Sequence, residues 1–481
     1  MSFKSKEVNI KSRYVAGVNQ PLPHLTGTFF LFPFLAISFH LHNCCTHIHL
    51  KDFLLVFGYK ILITIKELYQ QDSPLLKKEQ LSELEMRKNL LIAFILVFFT
   101  LSWWSMSIVV YKKFYQPMEA VNPSITLIAQ ASYYISIVIS SIIGSIIAKK
   151  IKSTSFLYYW MLVGTVSSII PMFLVSVNEW HLFFVSFLFG SAFGIGVPSC
   201  LALFADMTDV GNRGSLSGVV FLASNLVIAM VAVALLDAEL ELVALTAGVW
   251  RVIGLTLFFL LKPKEGKKAG EDRHFTFSPI FQNRQFILYF VPWFAFSLIE
   301  WFENPIRTNL FGEFATFAEI IGVAIGSIAA VGGGVFADKI GRKIVALYGF
   351  VSIGIAYAIL SIIPANILVW YFFVVIDAIA FGLIYAMFIL TLWGDLSQPH
   401  EREKYYAIGT MPFFIAGILE LVVRPYVSLI HLEAAFSLAA FFLFLAILPL
   451  LYAPETLPEK KIKDRELKQY IEKAKKKAME K

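Results

Sequence analysis

The sequence predicts an all-α polytopic membrane protein with twelve transmembrane helices, and composition, block length and loop charge support this. Of its 481 residues, 58% are hydrophobic and only 16% are charged, and the mean hydropathy is +0.70. A soluble domain carries about a quarter charged residues. The apolar residues form blocks of about 20, which suits helices crossing a hydrocarbon core of about 30 Å. Such blocks are too long and too uniformly apolar for barrel strands.

The twelve apolar blocks follow Met86 in order, each separated from the next by a short polar segment. Blocks of this length are typical of spanning helices rather than of short buried ones. Their approximate bounds are 89–110, 123–148, 155–175, 181–206, 214–236, 241–262, 285–303, 314–336, 343–363, 367–394, 403–424 and 433–452.

The loops between the blocks alternate in charge. Loops after even-numbered blocks are basic and those after odd-numbered blocks are not, apart from Lys112 and Lys113. Because short loops rich in Lys and Arg stay in the cytoplasm, we expect both termini there. The net charge of +7 is thus explained without a nucleic-acid partner. The basic loop residues are Lys149, Lys150, Lys152, Arg213, Lys264, Lys267, Lys268, Arg273, Lys339, Arg342, Lys343, Arg402 and Lys404.

An internal repeat divides the twelve blocks into two sets of six. Matching residues recur at spacings of 189 to 191, in the pairs Gly144 and Gly334, Asp206 and Asp395, Arg213 and Lys404, and Pro263 and Pro454. A repeat of this kind predicts two six-helix halves related by an axis along the membrane normal. The predicted bundles are 86–262 and 285–458, joined by a cytoplasmic linker at 263–284 and followed by a charged cytoplasmic tail at 459–481.

Residues 1–85 have no counterpart in the repeat, so the status of this extension stays open. Its apolar stretches are short for membrane spans. A tract of alternating His and Cys at 40–49 matches no standard metal site, and we predict no bound metal. One hypothesis is that translation begins at Met86, directly before the first apolar block.

The loop between the eighth and ninth blocks carries a recognisable motif. Gly334, Asp338, Lys339, Gly341, Arg342 and Lys343 fit the pattern G-x-x-x-D-[RK]-x-G-R-[RK], and this loop resembles the signature of the major facilitator superfamily. Asp206, followed by Arg213 and Gly218, resembles that family's junction between helices four and five. The resemblance covers about 86–458. It implies a secondary transporter in which two bundles rock about a midplane site, without nucleotide or other cofactor.

The chemistry of this motif suits a latch between the halves. Gly334 permits close helix contact, and Asp338 can accept bonds from the amides of a neighbouring helix and pair with Arg342. The resemblance implies that the cluster holds the cytoplasmic side closed, with Asp395 as a partner for Arg342. The plainer alternative is that the basic residues only orient the loop. The first-half copy has Ala148 in place of the acid, so a latch there is weaker or uses Lys149 or Lys152 with Asp206.

Ionisable residues within spans are costly and therefore indicate function. Asp377 lies about ten residues into the tenth block and Glu300 in the outer third of the seventh. Because the resemblance implies that helices one, four, seven and ten line the cavity, these two are the favoured substrate or proton sites. The alternative is a purely structural pair of Asp377 with Arg251. Further candidates are Glu319, its repeat counterpart Gln130, Asn225 and Trp104.

The expected substrate is a small molecule. Few basic residues are central, which favours a neutral or cationic solute, and aromatic residues such as Trp104 can stack on a ring or hold a cation. No sequence motif of a phosphate-binding loop, metalloprotease or serine hydrolase is found, so we predict no enzyme. The alternatives are a sensor that binds ligand without transport and, least favoured, a membrane-embedded enzyme. We expect a proton-coupled monomer in the lipid bilayer of the plasma membrane.

Overall fold

The computed structural model describes residues 78–151, 153–174, 178–235, 238–263, 276–311 and 313–457. The predictions for most of the extension 1–85, for the tail 459–481 and for most of the linker 263–284 therefore lie outside the described residues. The side chains of 78–82, 232–233, 310–317 and 319–320 are likewise outside the description.

Twelve helices are long and apolar enough to cross a membrane, which confirms the predicted fold class. Within the described ranges no residue forms a strand. A short helix at Ser278–Gln282 precedes the second half. The spanning helices are α1 (Lys78–Val121), α2 (Pro123–Lys150), α3 (Ser153–Phe173), α4 (Glu179–Met207), α5 (Arg213–Ala234), α6 (Leu240–Leu261), α7 (Arg284–Phe311), α8 (Glu313–Ile340), α9 (Arg342–Ile362), α10 (Ile367–Leu396), α11 (Arg402–Leu429) and α12 (Leu432–Tyr452).

Three asparagines begin helices at one end of the bundle. The side chain of Asn122 accepts from the amide of Ile125 at 3.3 Å, ahead of Pro123 in the first turn of α2. Asn178 and Asn366 cap α4 and α10 in the same way. Such caps satisfy amides that the helix leaves unpaired. We call this the capped end. The opposite end, where Arg213, Arg342 and Arg402 begin helices, is the basic end.

Helices α1 and α7 extend furthest beyond their predicted bounds. α1 begins at Lys78 rather than 89, so the predicted domain boundary at 86 falls within it. α7 ends at Phe311 rather than 303. The polar residues Glu303, Asn304 and Arg307 are at most 3% exposed, because other helices cover them. A hydropathy profile alone assigns such polar residues to a loop.

The main helix contacts lie both within the two predicted halves and between them. Within the first half α6 packs on α1 and α3, and within the second half α12 packs on α7 and α9. Between the halves the principal contacts are α5 with α8 and α2 with α11. These pairs bring the basic-end loops of the two halves together.

α10 is interrupted by a π-helix at Met387–Thr391, between the buried Asp377 and Asp395. α8 and α10 approach closely beside it: an ideal Cβ on Gly382 would lie 2.1 Å from the carbonyl oxygen of Gly326. π-turns inside helices often occur at functional sites. Here the interruption separates two polar regions, described next.

Candidate functional site

Asp338 caps the first turn of α5 from the other half of the molecule. Its Oδ1 accepts from the amide of Gly214 at 3.0 Å, and its Oδ2 accepts from the amide of Ser215 at 2.7 Å and from that residue's hydroxyl. The positive end of the α5 dipole also favours the carboxylate. Asp338 therefore ties α8 to α5 at the basic end.

Asp395 lies between two buried arginines. Arg342 donates through Nε to Oδ2 at 3.0 Å, and Arg213 donates through Nη1 to Oδ1. Arg342 also pairs with Asp338 at 2.9 Å and donates to the carbonyl of Val210 at 2.5 Å. The side chains of both arginines and of Asp395 are at most 1% exposed. The four side chains form one network between the two halves, called here the Asp395 network.

Glycines let the helices of this network approach. An ideal Cβ on Gly334 would lie 2.1 Å from the carbonyl oxygen of Gly214, and one on Gly218 would lie 2.3 Å from that of Ala330. Neither distance is compatible with a side chain. Gly332, two residues before Gly334, has no atom within 4 Å of its ideal Cβ. The close contact is thus specific to one face of α8.

The rest of the motif binds a carboxylate that the sequence analysis missed. Gly341 has a φ of 113°, and the two amides that follow it, of Arg342 and Lys343, donate to Glu455 at 2.7 and 3.1 Å. Lys343 also donates to the carbonyl of Leu451 at 2.7 Å, whereas the side chain of Lys339 is exposed. The repeated Pro-containing segment after α12 was the only sequence signal for Glu455.

The first-half counterpart of the latch uses a different base from those predicted. Asp206 forms an ion pair with Arg402, not with Lys149, and Lys152 lies outside the described residues. Asp206 and Asp395 are 189 positions apart, as are Arg213 and Arg402. The pairs Arg213–Asp395 and Arg402–Asp206 are therefore crosswise equivalents between the halves. The second pair is more exposed, at 13% and 31%.

Glu300 and Asp377 meet inside the second half. Their carboxyl groups approach each other, from α7 and α10 respectively, and the two residues are 3% and 7% exposed. Two carboxyl groups in this contact can bond only when one carries a proton. Of the predicted transport residues, these two are the pair that the structure brings into direct contact, and we call them the carboxyl pair.

One face of α7 continues from the carboxyl pair toward the capped end. Arg307 lies 3.3 Å from Glu303 and donates weakly to Asn304 at 3.5 Å. Asn304 also lies beside Glu420 on α11. These α7 positions are spaced by three or four residues and so share one face. Arg307 was not predicted, because it falls beyond the predicted end of the helix.

A small pocket with a cavity volume of about 40 Å³ opens beside the carboxyl pair, between α5, α7, α8 and α10. Its polar wall consists of Asp377, Arg307 and the predicted residue Asn225, whose amide nitrogen donates to Ser327 at 2.8 Å. The other lining residues are apolar or small, namely Phe221, Ala318, Gly322, Val323, Gly326, Val374, Ala378 and Phe381.

The remaining candidates lie elsewhere. Gln130 accepts from Arg424 at 3.5 Å, which links α2 and α11 across the halves near the capped end. The ring of Trp104 stacks on Phe193 at 4.8 Å, and its Nε1 donates to Tyr133 at 2.9 Å. Both are packed rather than lining the pocket. The side chain of Glu319 lies outside the description.

Arg251 does not pair with Asp377. Its guanidinium lies between the rings of Trp103 and Trp160, 4.4 and 4.3 Å from their centroids, and donates to Thr100 at 3.3 Å. All of these residues belong to the first half, whereas Asp377 lies in the second. The alternative of a structural Asp377–Arg251 pair is wrong, because cation–π contacts take the place of a carboxylate.

Comparison with known proteins agrees with this architecture. The family model described as Major Facilitator Superfamily matches residues 313–478. The fold resembles the human organic anion transporter MFSD10 (TETRAN), with a TM-score of 0.61 and 12% identity over 76% of this chain and 99% of that one. It also resembles the proton:xylose symporter XylE bound to 6-bromo-6-deoxy-D-glucose, with a TM-score of 0.63 and 14% identity over 77% and 96%. No curated protein sequence matches the chain.

Three observations agree: the Gly334–Lys343 motif, its assembly into a network at one end of twelve spanning helices, and the family model that matches residues 313–478. The second half of the chain is therefore similar to the major facilitator superfamily, and the twelve-helix fold is similar to the folds of MFSD10 and XylE.

Proposed function

We propose that this chain is a proton-coupled secondary transporter that moves a small solute by alternating access. The observation that carries the proposal is the carboxyl pair, Glu300 and Asp377, buried within spanning helices beside a pocket. The match of residues 313–478 to the family model supports secondary transport in general, and the pair supports protons as the coupling ion.

The pair suits proton coupling because its geometry depends on protonation. With one proton, the carboxyl groups of Glu300 and Asp377 hold α7 and α10 together; without it, two negative charges repel in a medium of low dielectric constant. Losing or gaining a proton thus changes the contact between two helices that line the pocket. This is the property that alternating access requires of a coupling site.

The Asp395 network supplies the gate at one end. The positive-inside rule assigns the basic end to the cytoplasm. In the present conformation Arg213, Arg342 and Asp338 join the halves there. Inward opening requires these ion pairs to separate. The exposed Arg402–Asp206 pair separates at lower cost.

Contacts between the halves also exist nearer the capped end. The rings of Tyr134 on α2 and Trp301 on α7 meet edge to face with centroids 5.7 Å apart, close to the Gln130–Arg424 contact. We propose that these contacts form the opposing gate. We propose that the transporter acts as a monomer, since the described residues of a single chain supply both gates and a pocket, and that it resides in the plasma membrane.

Uptake into proteoliposomes with and without an imposed pH gradient tests the proposal. A panel of radiolabelled sugars, amino acids, organic acids and organic cations supplies the solutes. We expect gradient-dependent accumulation of one class, lost in Asp377→Asn and Glu300→Gln. The matched control is Glu433→Gln, an exposed carboxylate on α12, which should transport normally. Binding without accumulation would indicate a sensor, and accumulation that ignores the gradient and both variants would refute proton coupling.

A further inference from the structure

Aromatic side chains of the two halves meet inside the molecule. The ring centroids of Trp104 and Phe193 in the first half lie 6.1 and 5.9 Å from that of Phe414 in the second half. Those of Phe221 and Tyr385 lie 5.3 Å apart, again across the halves. We call this set the aromatic interface. Its members are Trp104, Tyr134, Phe193 and Phe221 of the first half and Trp301, Tyr385, Phe413 and Phe414 of the second, all at most 7% exposed.

The aromatic interface runs through the middle of the membrane span. The ring centroid of Phe413 lies 5.2 Å from that of Trp301 and 5.5 Å from that of Tyr385, so the second-half members form one continuous surface. Phe413 lies 11 residues after the basic-end start of α11, and Phe193 lies 14 residues after the capped-end start of α4. At 1.5 Å per residue these depths are about 16 and 21 Å. The interface therefore lies between the two proposed gates.

A glycine brings one ring of the first half against the backbone of the second. An ideal Cβ on Gly417 of α11 would lie 2.8 Å from the ring of Tyr134 on α2, so a side chain at position 417 would displace that ring. Tyr134 in turn reaches Trp301, with the ring centroids 5.7 Å apart. The two sides of the interface thus fit each other closely in the present conformation.

Separation of the halves would break these contacts. The apolar ring faces that are bared would return to water, at a free-energy cost that grows with their area. A solute inserted between the two sides gives each ring a new partner and offsets this cost. Because a ligand shifts an equilibrium by its preference for one state, such a solute favours the separated halves. The interface therefore selects solutes that resemble the rings of the opposite half.

The side chains of the aromatic interface limit the polarity of such a solute. Four are phenylalanines, two tryptophans contribute one N–H donor each, and two tyrosines contribute one hydroxyl each. A sugar inserted here would leave most of its hydroxyls without partners. A flat ring, in contrast, can stack on these side chains or meet their edges.

The same side chains disfavour a charged solute. None of the eight carries a charge, so an anion would lose its water without gaining a cation. A cation can stack on a ring, but it also loses water and needs a counter-charge. The carboxylate beside the interface, Glu420 near Tyr134, is already paired with Arg424 at 3.1 Å.

We propose that the aromatic interface binds an uncharged, planar aromatic solute between its two sides when the halves separate. The small pocket beside the carboxyl pair has a volume of about 40 Å³, which suits water-sized groups, since one water needs about 10–15 Å³. Solute binding and proton exchange then occur at different places. That the bound solute is also the transported one rests on the proposed function.

Binding of 7-methoxycoumarin to the full chain in lipid nanodiscs tests the inference without a transport assay. Energy transfer from the tryptophans to the coumarin records occupancy, and the saturable part of the signal gives the Kd. We expect Phe414→Leu, which keeps an apolar side chain but removes the ring, to raise the Kd at least fivefold. The matched control is Phe436→Leu, because Phe436 is equally buried but contacts Tyr357 and Trp370 within the second half. Its Kd should equal that of the wild type.

Competition in the wild type keeps the test valid if Phe414→Leu fails to fold. The competitors 2-naphthol and decahydro-2-naphthol share a skeleton and a hydroxyl, but only the first is aromatic and planar. We expect 2-naphthol to displace the coumarin at concentrations at least tenfold lower. Naphthalene-2-sulfonate, 1-methyl-4-phenylpyridinium and D-xylose supply an anion, a cation and a sugar. Displacement by any of these three as effective as that by 2-naphthol, or the absence of saturable coumarin binding, overturns the inference.

Uptake separates this inference from the proposed function. In proteoliposomes, 7-methoxycoumarin joins the solute panel, and we expect its accumulation to depend on the pH gradient. Saturable binding of the coumarin without accumulation of any solute would refute the transport proposal and leave the binding site standing. Gradient-driven uptake of a sugar or a charged solute that 2-naphthol does not inhibit would overturn the inference and leave the transport proposal standing.

Discussion

At the scale of single residues, Asp395 is tightly constrained, because its one carboxylate pairs with two buried arginines. Removing it leaves Arg213 and Arg342 without their shared counter-charge in a site from which water is excluded. Breaking a buried ion pair by deleting one partner costs about 3–5 kcal/mol, whereas exposed pairs contribute at most about 1 kcal/mol.

We therefore predict that Asp395→Asn lowers stability far more than Asp206→Asn, although the two aspartates are repeat counterparts. Apparent melting temperatures in detergent, followed by tryptophan fluorescence, measure the difference. Asp206 and Arg402 are the partly exposed pair, so their loss should cost about 1 kcal/mol or less. Equal shifts for the two variants would show that burial of the Asp395 network does not determine its strength.

Contacts between individual side chains could be predicted from the sequence where a motif, or the depth of a residue in the membrane, indicated them. Asp338, Arg342 and Asp395 were expected near one another and lie in contact. Glu455 and Arg307 were missed for different physical reasons. Glu455 caps a helix far away in sequence, which no local pattern reveals, and Arg307 lies on a helical turn whose polarity resembles a loop.

At the scale of helices, the contact between α5 and α8 depends on the absence of side chains along one stripe. The backbone of α8 at Gly334 meets the backbone of α5 at Gly214. Small residues are what allow helices to approach in membranes, where the hydrophobic effect does not drive them together. The Asp338 cap needs this distance, since its carboxylate reaches amides rather than long side chains.

We predict that Gly334→Ala separates the two helices and weakens the basic end, at a cost of about 1–3 kcal/mol typical of overpacking. Gly332→Ala is the matched control, because its added methyl group meets nothing within 4 Å. Maleimide labelling of a cysteine at Ser215 reports opening of the Asp338 contact. Labelling should be faster in Gly334→Ala than in the chain that carries only the cysteine at position 215. Gly332→Ala should leave the labelling rate unchanged. Equal rates for the two glycine variants would exclude a steric role for Gly334.

Helix number was predictable because membrane thickness sets a length, but helix ends were not. α7 shows why: its last turns carry Glu303, Asn304 and Arg307, which are covered by protein instead of water. Hydropathy measures whether a residue prefers lipid or water, and a polar face that is buried against other helices is in contact with neither. The functional part of the helix is thus where a hydropathy prediction fails.

At the scale of the whole molecule, the repeat predicted the two halves but not which residues from each would meet. Asp377 and Arg251 are both deep in the membrane, and depth alone made them possible partners. The structure places Arg251 between two tryptophans of its own half. Such pairings depend on where each helix stands around the bundle and which way its side chains point, and a single sequence does not encode this directly.

Rocking of the halves can be tested by locking them. The hydroxyls of Ser217 on α5 and Thr391 on α10 lie 2.9 Å apart across the halves. The test uses a double variant, Ser217→Cys with Thr391→Cys, in a chain whose native cysteines Cys44, Cys45 and Cys200 are replaced. We predict that this variant forms a disulfide on oxidation. It should then lose uptake of whichever panel solute the wild type accumulates. Dithiothreitol should restore uptake, and the single variant Ser217→Cys should show neither effect. Full transport by the crosslinked chain would refute separation of α5 and α10 in the cycle.

The π-helix in α10 sets the relative direction of two distant carboxylates. Asp377 and Asp395 are 18 positions apart, and in an unbroken α-helix about 3.6 residues complete each turn, so both would point the same way. The turn at Met387–Thr391 takes up about one extra residue and offsets them. One then meets Glu300 on α7 and the other Arg213 on α5. The length of this apolar stretch is therefore informative in itself. Deleting one residue there would leave the hydropathy of α10 nearly unchanged. It would, however, turn either Asp377 away from the pocket or Asp395 away from the gate.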